Sequence, residues 1–256
     1  MSGESGRVLY AIWAVALLLG IWALLAAVLE SVVLPGPGTV LLRFAELLLP
    51  TLLPNAAASL ARVLVALATA TAVALPLGVA LGRIRWAGRL FTPLVYLLYP
   101  VPKIALLPLV FLLFGVGELA RVVLVWLVLF FQVLVAVRDA SAGIPEGYRI
   151  SLTLLGGRRL EFLRFVVLPA ILPALLTALR IGSGTALAVL FFAETFFTEL
   201  GLGIFIVDGW MKASYADMLA GIVAIGLLGL LLFTVLDRAQ RLLCRWQRRG
   251  GSAANP

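Results

Sequence analysis

The chain has 256 residues, of which 63% are hydrophobic and 12% charged, and it carries a formal net charge of +8. No water-soluble globular domain of this size holds that balance, so the chain reads as an all-α integral membrane protein. A single cysteine, Cys244, and a complete lack of histidine exclude an intrachain disulfide, CxxC redox chemistry and the usual zinc sites.

A spanning helix needs about 20 mostly apolar residues, and six runs of that kind follow one another. The first, 8–29, is too long for a signal peptide and has no small-residue cleavage site, so it reads as a retained span. A turn at Leu34-Pro35-Gly36-Pro37 then leads into a short amphipathic helix ending near Leu48, with Leu41, Leu42, Phe44, Ala45 and Leu48 as its apolar face. The second span, 60–81, is rich in alanine and valine, which let helices approach closely in lipid, and Arg62 lies near its outer end. The third, 90–115, is broken by Pro93, Pro100, Pro102 and Pro108 and carries Lys103 inside it. Its freed backbone groups need protein neighbours or a wet cavity. Spans at 122–137, 169–192 and 215–236 complete the set, the fifth started by Pro169 and Pro173. The organisation is an N-terminal span (1–33), an outer turn and amphipathic helix (34–59), a spanning core (60–236) holding a loop at 138–168, and a basic tail (237–256) that includes Arg245, Arg248 and Arg249.

Orientation follows from the basic residues. With both termini in the cytoplasm, fourteen of the 20 lysines and arginines fall in inner segments and three, Arg43, Arg121 and Lys212, in outer ones. The positive-inside rule therefore assigns the 138–168 loop and both termini to the cytoplasm. The positive charge sets topology and meets anionic lipid; it is no sign of nucleic acid.

Within that loop, Ile150, Leu152 and Leu155 recur at helical spacing, Gly156-Gly157 interrupt, and Leu160, Leu163 and Val167 resume beside Arg158, Arg159 and Arg164. Gly156 followed by Val166-Val167-Leu168-Pro169 resembles the "EAA" loop of permease subunits of bacterial ATP-binding-cassette importers, with Ile150, Ser151 and Leu152 standing where Glu-Ala-Ala is expected. Three further stretches resemble the branch of that family serving nitrate, taurine and aliphatic sulfonates. They are the Leu34–Pro37 turn; Tyr99 to Leu109 with Phe114-Gly115-Val116-Gly117-Glu118; and Leu168-Pro169 through Ala178-Leu179-Arg180, Ala193-Glu194 and Gly201-Leu202-Gly203.

That resemblance implies a six-helix, type I importer permease in the bacterial inner membrane, pairing with a second permease as a homodimer or heterodimer. It implies separate ATPase subunits and an extracytoplasmic solute-binding protein as partners, and a small anion as cargo. The coupling residues it implies are Ile150, Ser151, Leu152, Gly156, Gly157, Arg158, Arg159 and Leu160. The sequence has no G-x-x-x-x-G-K-[ST] loop, so ATP and Mg belong to the partner ATPase and the chain itself holds no cofactor.

Charge within an apolar span costs several kcal/mol unless it faces a cavity or a partner, which makes each such residue a candidate. Lys103, next to Pro102, reads as positive charge for an anion in transit or as a snorkelling or paired lysine. Arg180 reads as lining the pathway or stabilising a bend, and Glu194 as an outer gate or an interface marker. No Ser-His-Asp, Cys-His or carboxylate dyad can be assembled, so the chain is not expected to be an enzyme. The competing reading is an ion-coupled secondary transporter or channel, which calls for inverted repeats or acidic residues deep in spans.

Overall fold

A computed structural model of the chain describes residues 2–246, all of them helical or in short connections; Arg248 and Arg249 of the basic tail lie outside the described residues. Five helical runs are long and apolar enough to cross a membrane, and a bent helix pair supplies a sixth. The chain divides into two compact units.

The first unit comprises the residues up to Ala58 and Glu199–Gly226. Its α1 (Ser2–Leu29) is apolar all round, and none of its Ile12–Leu29 stretch is buried. Trp22 donates its indole N–H to the Pro35 carbonyl (3.2 Å), which fixes the chain ahead of α2 (Pro37–Leu47). Proline at the start of α2 costs no hydrogen bond, since the first N–H groups of a helix are unpaired anyway. The residue α2 buries is Val40, whereas Leu41, Leu42, Ala45 and Leu48 of the expected apolar face are exposed in this chain. At i, i+1, i+4 and i+7 those side chains do lie on one side of the helix, the side turned away from the rest of the unit. A π-turn (Leu48–Leu52) carries α2 on into α3 (Leu53–Arg83), so this helix begins before residue 60. Pro50 lies within that widened turn and Pro54 just after it, where the regular backbone ladder is already interrupted.

In the same unit, α10 (Leu202–Met211) packs on the first part of α11 (Tyr215–Leu243). A Cβ on Gly221 would come within 2.6 Å of Ile206, and one on Gly209 within 2.8 Å of the Met218 backbone. Arg43 of α2 reaches Asp217 of α11 at 2.6 Å, and Asn55 accepts from the Gly201 N–H at 2.7 Å.

The second unit comprises Ser59–Thr198 and the chain from Leu227 on. Along α3, Val63, Ala66, Leu67, Ala70 and Ala74 are buried at helical spacing, giving one narrow internal face. The core is the crossing of α6 (Glu118–Ala142) and α9 (Leu168–Glu194), each buried along most of its length. Small residues permit the close approach: a Cβ on Gly82 would sit 2.6 Å from the Arg138 carbonyl, and one on Gly182 2.5 Å from the Gln132 amide oxygen.

The proline-rich third span is a bent pair. α4 (Arg85–Leu98) and a short 3₁₀ turn (Lys103–Leu106) with α5 (Leu107–Phe114) meet at 84°. Between α6 and α9 lie α7 (Glu146–Leu154), the single turn α8 (Arg159–Phe162) and a π-turn (Leu163–Val167). The fifth span therefore does not begin at Pro169: helical backbone runs unbroken from Arg159 to Glu194. Pro169 is accommodated because the widened turn before it has already withdrawn the i→i−4 bond that proline cannot make. The fourth and sixth runs are also longer than their apolar stretches, reaching 118–142 and 215–243 through polar end residues.

Candidate functional site

The predicted coupling residues form a compact helix-turn-helix within the second unit. α7 begins after Pro145 with Glu146 in its first turn, where a carboxylate meets unpaired N–H groups. It ends in a reversal: the Gly156 N–H donates to the Thr153 carbonyl at 3.0 Å and the Gly157 N–H to the Leu152 carbonyl at 2.9 Å. Gly156 sits at φ +81°, a left-handed conformation that side chains resist. Gly157 is required for a different reason, since a Cβ there would lie 2.5 Å from Leu152 Cγ. One glycine supplies the turn's hand and the other supplies its space. α8 then starts with the Glu161 carboxylate accepting from the Arg158 N–H at 2.6 Å.

Arg83, at the end of α3, holds the base of this loop. Its guanidinium donates to the Ile144 carbonyl at 3.2 Å, lies 3.5 Å from the Glu146 carboxylate and stacks 5.2 Å from the centre of the Phe162 ring. Glu146 also takes Arg149. The loop is thus latched at its base while its tip is bare: Ile150 is 54% exposed, Leu160 73%, Leu154 83% and Leu155 85%. Ser151, Gly156, Arg158 and Arg159 are exposed beside them, and Leu152 is half-buried against Gly157. Arg83, Glu146 and Leu154 were not among the expected coupling residues. Nothing in the local pattern marks Arg83, since its partners lie about sixty positions away in sequence.

The pathway candidates do not converge. Lys103 donates from Nζ to the Leu98 and Tyr99 carbonyls, both at 2.7 Å, and lies 4.5 Å from the centre of the Phe131 ring. It thereby caps carbonyls left open where α4 ends at the bend. Pro102 stands immediately before that capped turn. Arg180 pairs with Asp237 of α11 at 2.8 Å, and Asp237 also takes Arg241 at 2.7 Å.

Glu194 is fully buried and lies in a charge network at the Glu118 end of α6. Arg62 grips Glu118 with two bonds of 2.6 and 2.7 Å and donates a third to Glu194 at 2.6 Å. The Ser59 hydroxyl adds bonds of 2.8 and 2.9 Å to Glu194. Arg121 reaches Glu118 at 3.0 Å and donates to the Phe197 carbonyl at 2.6 Å, fixing the turn after α9, where Phe197 takes φ +50°. Two guanidiniums meet two carboxylates, with Arg62, Arg121 and Glu194 buried and Glu118 at the exposed edge, and α3, α6 and α9 are cross-tied.

A cavity of about 760 Å³ opens between α6, α9 and the end of α11. Tyr99, Gln132, Asp139, Thr177 and Gln240 give it polar atoms amid a largely alanine wall, and none of Pro102, Lys103, Arg180 or Glu194 lines it. Isolated glutamines among alanines carry little sequence signal, which is why these positions were not expected.

Residues 74–249 match the family model described as binding-protein-dependent transport system inner membrane component. The chain is 33% identical over 253 residues to the taurine transport system permease protein of Escherichia coli K12, covering 94% of this chain and 91% of that one. It is 32% identical over 232 residues to a probable ABC transporter permease protein of Brucella abortus, with 90% and 92% covered. The nitrate import permease protein of Synechocystis is 25% identical over 229 residues, with 86% and 83% covered. In fold, the chain superposes on an inward-facing structure of the MetNI methionine ABC transporter with a TM-score of 0.64 at 22% identity, covering 77% of this chain and 98% of that one.

Proposed function

We propose, since this chain belongs to the family of binding-protein-dependent transport system inner membrane components, that its α7–α8 loop is the surface through which a separate ATPase drives solute import. The chain is an ABC transporter permease and a multi-pass inner membrane protein. Permeases of this kind work with ATPase and binding-protein partners.

The observation that carries the coupling reading is the loop's construction. A latched base and a glycine-set reversal hold four apolar side chains, Ile150, Leu154, Leu155 and Leu160, away from the rest of the unit. Exposed apolar residues grouped on a rigid, otherwise polar segment suit a protein partner. We place this loop and both termini in the cytoplasm on the excess of arginine there. ATP and Mg then bind the ATPase, and its closure on ATP moves the loops of two paired permeases. The relatives named for taurine and nitrate favour a small anion as cargo, delivered from an extracytoplasmic binding protein.

The test is Leu154→Asp combined with Leu155→Asp, assayed in vesicles holding both permease subunits, the ATPase and the binding protein. ATP-dependent uptake is expected to cease and the ATPase to dissociate on purification. Normal pumping by the variant overturns the reading. Titrating the binding protein with taurine and nitrate tests the cargo, and failure to retain any small anion removes that part alone.

A further inference from the structure

The end of α3, the start of α4 and the α7–α8 loop enclose a second cavity, of about 960 Å³. Five arginines line it, Arg83, Arg85, Arg149, Arg158 and Arg159, against one carboxylate, Glu146. That carboxylate is already shared by Arg83 and Arg149. Arg85 and Arg159 have no ion-pair partner among the described residues, and the nearby Glu161 is turned to the Arg158 backbone N–H. Like charges gathered in one concavity repel one another, and the cavity walls reduce the screening that water would give. Four of the five arginines are exposed, so the concavity presents an excess of positive charge to an anion arriving from outside.

We propose that this cavity binds the phosphate group of an anionic phospholipid, bridging the α3–α4 corner to the α7–α8 loop. Guanidinium forks match phosphate oxygens in geometry as well as charge. The source is a lipid because the remaining wall is apolar: Val79, Leu152, Phe162, Leu163 and Val167 would receive the glycerol and upper acyl carbons. Trp86, exposed beside Arg85, is a residue suited to the headgroup boundary. A nucleotide fits less well, because the ring of Phe162, the one aromatic in the wall, is already covered by Arg83. A lipid held here would touch both sides of the loop's base, so the membrane's anionic content would set how firmly the loop is held. This inference stands on the cavity's charge and does not require the ATPase reading above.

The experiment uses the full-length chain in mixed micelles of non-ionic detergent with phosphatidylglycerol or phosphatidylcholine, counting retained lipid by native mass spectrometry, with sodium phosphate as a competitor. Arg85→Gln with Arg159→Gln removes two arginines that have no ion-pair partner among the described residues. At roughly fivefold per arginine near an anionic headgroup, phosphatidylglycerol affinity is expected to fall about thirtyfold. Arg238→Gln with Arg245→Gln, the same charge loss in the exposed basic tail, which attracts anionic lipid without enclosing its phosphate, is expected to cost clearly less, and Arg85→Lys with Arg159→Lys to retain part of the affinity. Equal losses in the two glutamine pairs, or no loss in the first, overturn the proposal. Displacement of the lipid by equimolar phosphate overturns the lipid as source. Loss of the ATPase from the first variant with lipid retention unchanged shows the arginines serve the protein partner, and overturns it too. None of the lipid measurements involves ATP or uptake, so their failure is separate from failure of the coupling reading.

Discussion

The two ends of α6 use the same residue type to opposite effect. At the Glu118 end, Arg62 and Arg121 face Glu118 and Glu194, every charge is answered, and three helices are tied at 2.6–3.0 Å. Near the Ala142 end, five arginines surround one glutamate and apolar side chains stand bare. A charge-balanced, mostly buried network resists rearrangement, whereas an unbalanced, open one has room for a partner from outside. The first end is therefore the fixed point of the second unit, and the other is the one we propose as its working surface.

Breaking the fixed end should cost most. Glu194→Ala leaves Arg62 buried with one of its two carboxylates gone, and removing one partner of a buried pair costs about 3–5 kcal/mol. A large fall in the thermal unfolding midpoint in detergent is expected, with uptake lost because the protein is unstable. An unchanged midpoint would mean that the network is not what fixes this end. Gly157→Ala sharpens the contrast at the other end. The new methyl group displaces Leu152, an overpacking cost of about 1–3 kcal/mol confined to the loop. The midpoint should barely move while coupled uptake falls, and a midpoint shift as large as that of Glu194→Ala would erase the distinction between the two ends. The smallest effect is expected for Arg180→Gln, which lies between them. Asp237 keeps Arg241, and with both groups partly exposed the loss should not exceed about 1 kcal/mol. Uptake at near wild-type rates would place Arg180 outside the solute's route, and a selective rise in the apparent KM for the anion would place it inside.

Much of this was legible from the residues in order. Hydropathy marks every spanning run, four prolines announce the bent third span, and Gly156-Gly157 announce the reversal between α7 and α8. What stayed hidden is pairing between distant segments. Arg62 and Glu194 are 132 positions apart, and periodicity along one helix says nothing about which faces of two helices meet. Glu194 taken alone resembles any carboxylate at a span's end; only the crossing of α6 and α9 beside α3 makes it a buried partner. The start of the fifth span was misplaced for a local reason. Proline signals a helix start because it cannot donate into a regular ladder, and here the π-turn before Pro169 has already opened that ladder, so the helix runs on through it.

The bareness of α1 carries a further consequence. Between Ile12 and Leu29 no residue is buried among the described residues, and the Trp22 indole bond to Pro35 moors its C-terminal half. With every backbone amide satisfied inside its own helix, such a segment is held in place by its solubility in hydrocarbon. Its exposed side chains meet either lipid or the paired permease, and a reporter attached there would read out which of the two covers them.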